Sequence, residues 1–138
     1  MDNTLIKKAE LMLLAAPTAH VFRMQMVHAA IISGTLLHAA QLLIDSATEK
    51  SDKDWNKTCL QFAEKCLKAN KDRLTSQRKF TVATLLGMQG QRAGIKPIDI
   101  DAAVQLASVH LDRGHSSARA LFEGQQLLLS QFNRTNAL

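Results

Sequence analysis

The chain is poor in the residues that break or staple a fold. It has two Pro and two Cys in 138 residues. No stretch alternates apolar and polar residues with the period of two expected of a half-buried strand. Ala, Leu, Gln and Lys dominate what remains, which favours helix. Two cysteines cannot make a disulfide framework, so a reducing cytoplasm is the expected setting. No secretory leader is expected either. Lys7 and Lys8 precede an apolar run, Leu11 to Ala16, that is too short and is approached through Glu10.

Signatures of chemistry are equally scarce. There is no HExxH and no Walker spacing, and no two histidines stand four apart on a helix. His20 and His38 would share a face but lie about 27 Å apart. His28 points at a different angle, and His110 and His115 straddle Gly114. All five read as solvated or hydrogen-bonded. The carboxylates of the mainly apolar helices fall at their ends and turns, where capping and solvation account for them. The sequence therefore assigns no catalytic residue, no cofactor and no metal ligand, and the expectation is that the protein is not an enzyme.

What is present is a long uncharged run. Met24 to Ile44 carries no Asp, Glu, Lys or Arg, and Thr18 to Thr48 is expected to be the long central helix, with Thr18 as its cap after Pro17. At about 100° per residue, Val21, Phe22, Met26, Ala29, Ile32, Leu36, Leu37, Ala40, Leu43 and Ile44 share one broad face. The opposite strip holds His20, Arg23, His28, Thr35, His38, Gln41 and Asp45, interrupted by Met24, Val27, Ile31 and Leu42. The length would permit a membrane span. Gln25, His28, His38 and Gln41 would then need partners in hydrocarbon, and no aromatic belt flanks the run, so no membrane is expected. Gly34 in its middle implies close packing or a bend.

Other helices follow from spacing. Asn3 to Ala16 is the first, ended by Pro17. Asp52 to Asn70 is the third, preceded by a charged turn in which Ser51 and Asp54 have the spacing of a capping box. Its seam is Trp55, Cys59, Phe62, Cys66 and Ala69. The two cysteines would stand about 10 Å apart along the axis, too far for a disulfide, and read as buried inert thiols. A fourth helix is expected from Thr75 or Ser76 to Gln89. Gly87, Gly90 and Gly94 should loosen the chain up to Pro97. Asp99 and Asp101 open a fifth helix, and Gly114 stops it. Ser116 or Ser117 caps a sixth, with Leu121, Phe122, Leu128, Leu129 and Phe132 inside. The predicted fold is all-α, a single domain over 1–138, with five to six helices bundled around the central one and a terminal αα-hairpin.

Charge is unevenly placed. From Lys50 to Lys96 there are eleven Lys or Arg against four acids, while the rest of the chain has six against eight. This basic segment, 50–96, offers Lys57, Lys65, Lys68, Lys71, Arg73, Arg78, Lys79, Arg92 and Lys96 to phosphates, so nucleic-acid binding is one expected class. Within it, Phe80 to Met88 resembles the first helix and turn of a helix-turn-helix, with Ala83 and Gly87 four apart. Gly90, Gly94 and Pro97 then occupy the place of the recognition helix. Ala107 to Leu127, with Gly114, Ala118 and Phe122, resembles one tetratricopeptide-type hairpin without a second copy. The leading expectation is a non-enzymatic adaptor, chaperone or regulator that acts through protein–protein contacts as a homo-oligomer. Its motivation is the excess of apolar positions around the central run, more than a bundle of this size can cover.

Overall fold

The computed structural model describes residues 3–48 and 52–136. Those residues form α1 (Asn3–Ala15), a 3₁₀ turn (Thr18–His20), α2 (Val21–Ile32), α3 (Leu36–Thr48), α4 (Lys53–Arg92), α5 (Pro97–Asp112) and α6 (Ser117–Asn136). The all-α class holds, and the terminal helical hairpin is α5–α6. The chain divides into two compact units, Met1–Asp72 and Arg73–Leu138.

The long helix is not where the uncharged run suggested. Residues 18–48 are split into a 3₁₀ turn, α2 and α3, because Gly34 adopts φ +79° and ends α2. Its amide donates to the Ile31 carbonyl and that of Thr35 to the Ala30 carbonyl, at 3.0 and 2.9 Å, the paired bonds of a Schellman stop. The same device recurs at Gly94 (φ +71°) and Gly114 (φ +84°), where Ile95 and His115 donate to the carbonyls of Gly90 and His110. An L side chain would be strained at each of these φ values. Thr18 opens the 3₁₀ turn and does not cap a long helix.

The longest helix is α4, 40 residues, which joins the expected third and fourth helices without a break. Asp52 starts it. Its carboxylate accepts from the Asp54 amide at 2.8 Å, whereas the Ser51 part of the expected capping box lies outside the described residues. Gly87 and Gly90 stay helical, so the loosened segment shrinks to the turn at Gly94. The helix-turn-helix likeness fails with it, since Phe80 to Met88 lies inside an unbroken helix. Pro97 occupies the first turn of α5, where its missing N–H costs nothing. Ser116 caps α6 by accepting from the Arg119 amide at 3.1 Å.

In unit 1 the core draws Leu5, Ala9 and Met12 from α1, Met24, Val27, Ala30 and Ile31 from α2, and Leu36, Ala39, Ala40 and Leu43 from α3. Trp55, Cys59, Phe62, Ala63 and Cys66 of α4 complete it. The seam expected of the third helix is thus the buried one. The face expected of α2 is not. Its core side chains are the supposed interruptions Met24, Val27 and Ile31, while Phe22, Met26, Ala29 and Ile32 are exposed. Once Gly34 separates the helices, each settles its own rotation. In α2 apolar residues stand on both sides, so spacing alone could not choose between them.

In unit 2, Val82 and Leu86 of α4 pack with Ile100, Ala103, Ala107 and Leu111 of α5 and Ala120 and Leu128 of α6. Glycine allows close approach at two crossings. A Cβ on Gly124 would lie 2.5 Å from Leu86 Cδ1 and 3.3 Å from the Ala103 carbonyl, and one on Gly90 would lie 2.5 Å from Ile100 Cγ1.

Candidate interaction surfaces

Unit 1 contains the two buried polar side chains among the described residues, His20 and Ser46, and they meet. Ser46 Oγ is 3.0 Å from His20 Nδ1, and Trp55 Nε1 donates to Ser46 Oγ at 3.2 Å. An indole N–H can only donate, so Ser46 Oγ accepts from Trp55, and the His20 tautomer sets the direction of the Ser46–His20 bond. The His20 and Trp55 rings lie 5.9 Å apart. Cys59 hydrogen-bonds the same hydroxyl. Burial raises the Cys59 thiol pKa above its ordinary 9.0, against the opposing effects of Ser46 and of Arg23. Burial alone pushes Cys66 up to about 11. Ser46 has no exposed surface, so the node ties the 3₁₀ turn, α3 and α4 together and offers no atom to a substrate.

Three of the remaining histidines have partners nearby, and His38 is exposed on α3. His28 Nε2 of α2 lies 3.7 Å from a Glu10 carboxylate oxygen of α1, beyond hydrogen-bond length but within reach of a charge contact. His110 and His115 do come together, because the Gly114 turn folds one over the other with Nδ1 atoms 2.8 Å apart. Desolvation first, then the positive fields of Arg119, His110 and Arg113, lower the His115 pKa from 6.5, while Glu123 opposes them. Among the described residues no group of three or more His, Cys, Asp or Glu could hold a metal ion. No described helix is long and apolar enough to cross a membrane.

The nine basic residues fall into both units. In unit 1, Lys57, Lys65, Lys68 and Lys71 are exposed on α4. Lys65 and Lys68 share a cleft of about 490 Å³ with Lys8 of α1, where Gln61, Phe62 and Glu64 complete the lining. Lys8 was not among the expected contacts, because helical spacing within one segment cannot show what another helix brings alongside. In unit 2, Lys79 is paired with Asp112 of α5 at 2.6 Å. Arg73 is partly covered, whereas Arg78, Arg92 and Lys96 are exposed.

Apolar side chains reach solvent in both units. Unit 1 exposes Leu11, Leu14, Phe22, Met26, Ile32 and Leu37 on α1 to α3, with Leu14 at 85% and Phe22 at 73%. Unit 2 has an apolar cleft of about 270 Å³ lined by Gln89, Ile95, Gln125, Leu128, Leu129 and Phe132. Gln125 donates to Gln89 across it at 3.1 Å. The sequence placed Phe122, Leu129 and Phe132 inside, yet all three are exposed. No protein-family model, curated protein or solved structure matches this chain.

Proposed function

We propose that the protein is a non-enzymatic interaction module, an adaptor, chaperone or regulator of the cytoplasm that works through protein–protein contacts and self-associates. The supporting observation is the exposure of large apolar side chains on three successive helices of unit 1, above all Leu14 and Phe22. Each apolar Å² left in water forgoes about 25 cal/mol, which a partner surface would recover. Light scattering across a concentration series tests the self-association. A mass above one chain that falls to one chain in Leu14→Glu/Phe22→Glu, with helicity unchanged, is the expected result. A strict monomer at every concentration removes that part of the reading.

The lysine cleft favours a second reading, nucleic-acid contact through Lys65 and Lys68 of the segment 50–96 with Lys8 beside them. Such binding would weaken steeply with salt, through counterion release. It would also disappear in Lys65→Glu/Lys68→Glu. Blank titrations with DNA and RNA at low salt would end it.

A further inference from the structure

We propose that the unit 2 cleft seats the apolar face of an amphipathic helix from a different protein, with acidic residues beside that face meeting Arg92 and Lys96. The proposal deepens the interaction reading above and rests on it.

Three observations identify the occupant. The first is periodicity. Phe122, Gln125, Leu129 and Phe132 follow each other on α6 by three, four and three, the seam one helix presents to another. Phe122, Leu129 and Phe132 remain 54%, 50% and 39% exposed, so α6 has a second apolar row beside the one it buries through Ala120 and Leu128. The second is size. About 270 Å³ lies below the roughly 300–1,000 Å³ of small-molecule sites and suits one or two inserted apolar side chains. Leu128 is buried at the cleft, and the Gln89–Gln125 hydrogen bond already occupies polar atoms of both amides. The third is charge. The cleft lining also includes Ala93. Among residues adjacent in sequence to that lining, Arg92 and Lys96 are the only charged ones, and both are exposed and positive, while Glu123 adjoins Phe122 in the row. An acidic helix complements both cations, and the mass of Leu129→Glu tells it apart from a second copy of this chain.

The test uses the full chain and a displayed library of helical peptides. Their apolar row is fixed at i, i+3 and i+7, and their flanking positions are randomised among Glu, Lys and Ser. Selection should enrich Glu beside the row. An enriched peptide, followed by fluorescence anisotropy, should lose more than about tenfold in affinity against Leu129→Glu. Against Arg92→Glu/Lys96→Glu it should lose about tenfold, with recovery when its Glu are changed to Lys. All three residues are exposed, and circular dichroism of each variant checks that the helices persist. No enrichment, enrichment without acidic bias, or binding that ignores Leu129→Glu overturns the proposal. A change of oligomeric mass in Leu129→Glu also overturns it, since the occupant would then be a second copy. Failure of self-association is read separately, from Leu14→Glu/Phe22→Glu.

Discussion

Unit 1 fills its interior with large side chains, Phe62, Met24, Ile31 and Leu43, and sets a hydrogen-bonded node of His20, Ser46 and Trp55 beside them. Unit 2 brings its helices together over Ala103, Ala107, Ala120, Gly90 and Gly124, and buries no polar side chain among the described residues. In the first unit stability depends on volume that is present. In the second, beside the buried Val82, Leu86 and Leu128, it depends also on volume that is absent at Gly90 and Gly124. Added side-chain volume should therefore harm the second unit at these crossings as removed volume harms the first.

The largest effect is expected from Phe62→Ala, which empties a fully buried site in unit 1 and should cost about 3–5 kcal/mol in urea denaturation. A loss below about 1 kcal/mol would mean that the core collapses around the gap and that volume does not control it. Adding volume to unit 2 is the converse. Gly124→Val places a branched side chain against Leu86 and the Ala103 carbonyl, and should cost about 2 kcal/mol or more. Stabilisation instead would show that the α4–α6 crossing has slack.

How much of this could be read beforehand depended on whether the signal was local. The Trp55–Cys66 seam was legible because its apolar residues recur on one side of an otherwise polar helix. Gly114 and Pro97 were legible as turn and helix start because their backbone preferences act alone. Gly90 was misread because its reason for being glycine is Ile100 of α5, ten positions away. The continuity of α4 was hidden for a related cause. From residue 67 to 81 none is buried, so no apolar stripe marks that stretch as helix, and Thr75-Ser76 looked like a new beginning. The exposed rows of α2 and α6 look like core in the sequence because spacing reports that apolar residues align, not which neighbour meets them. Lys8 joined the basic cleft without any signal inside the segment 50–96.

Smaller effects sharpen the contrast between the two interiors. Ser46→Ala removes the acceptor of the Trp55 indole N–H and the partner of His20 Nδ1, and should cost about 1–3 kcal/mol. A neutral result would mean that the node adds nothing to the packing around it. The titration signs also differ between units. Cys66, raised from 9.0 to about 11 in the folded chain, stays protonated there after the unfolded chain has ionised. Stability in unit 1 should hold below pH 9 and fall as pH rises from 9 towards 11, and Cys66→Ala should flatten that slope. His115 is lowered below 6.5, so the unfolded chain takes up the proton first. Stability should fall slightly as pH drops through 6.5, and His115→Gln should abolish the decline if the His110–His115 contact is its source.

The bare middle of α4 carries one more consequence. Where no side chain of a helix is fully buried, its turns open more readily than turns packed on a core. Lys68, Lys71, Arg73 and Arg78 all fall in that stretch, so a trace of trypsin should cut there first. The cut would leave two fragments near 70 residues that could be purified and studied apart.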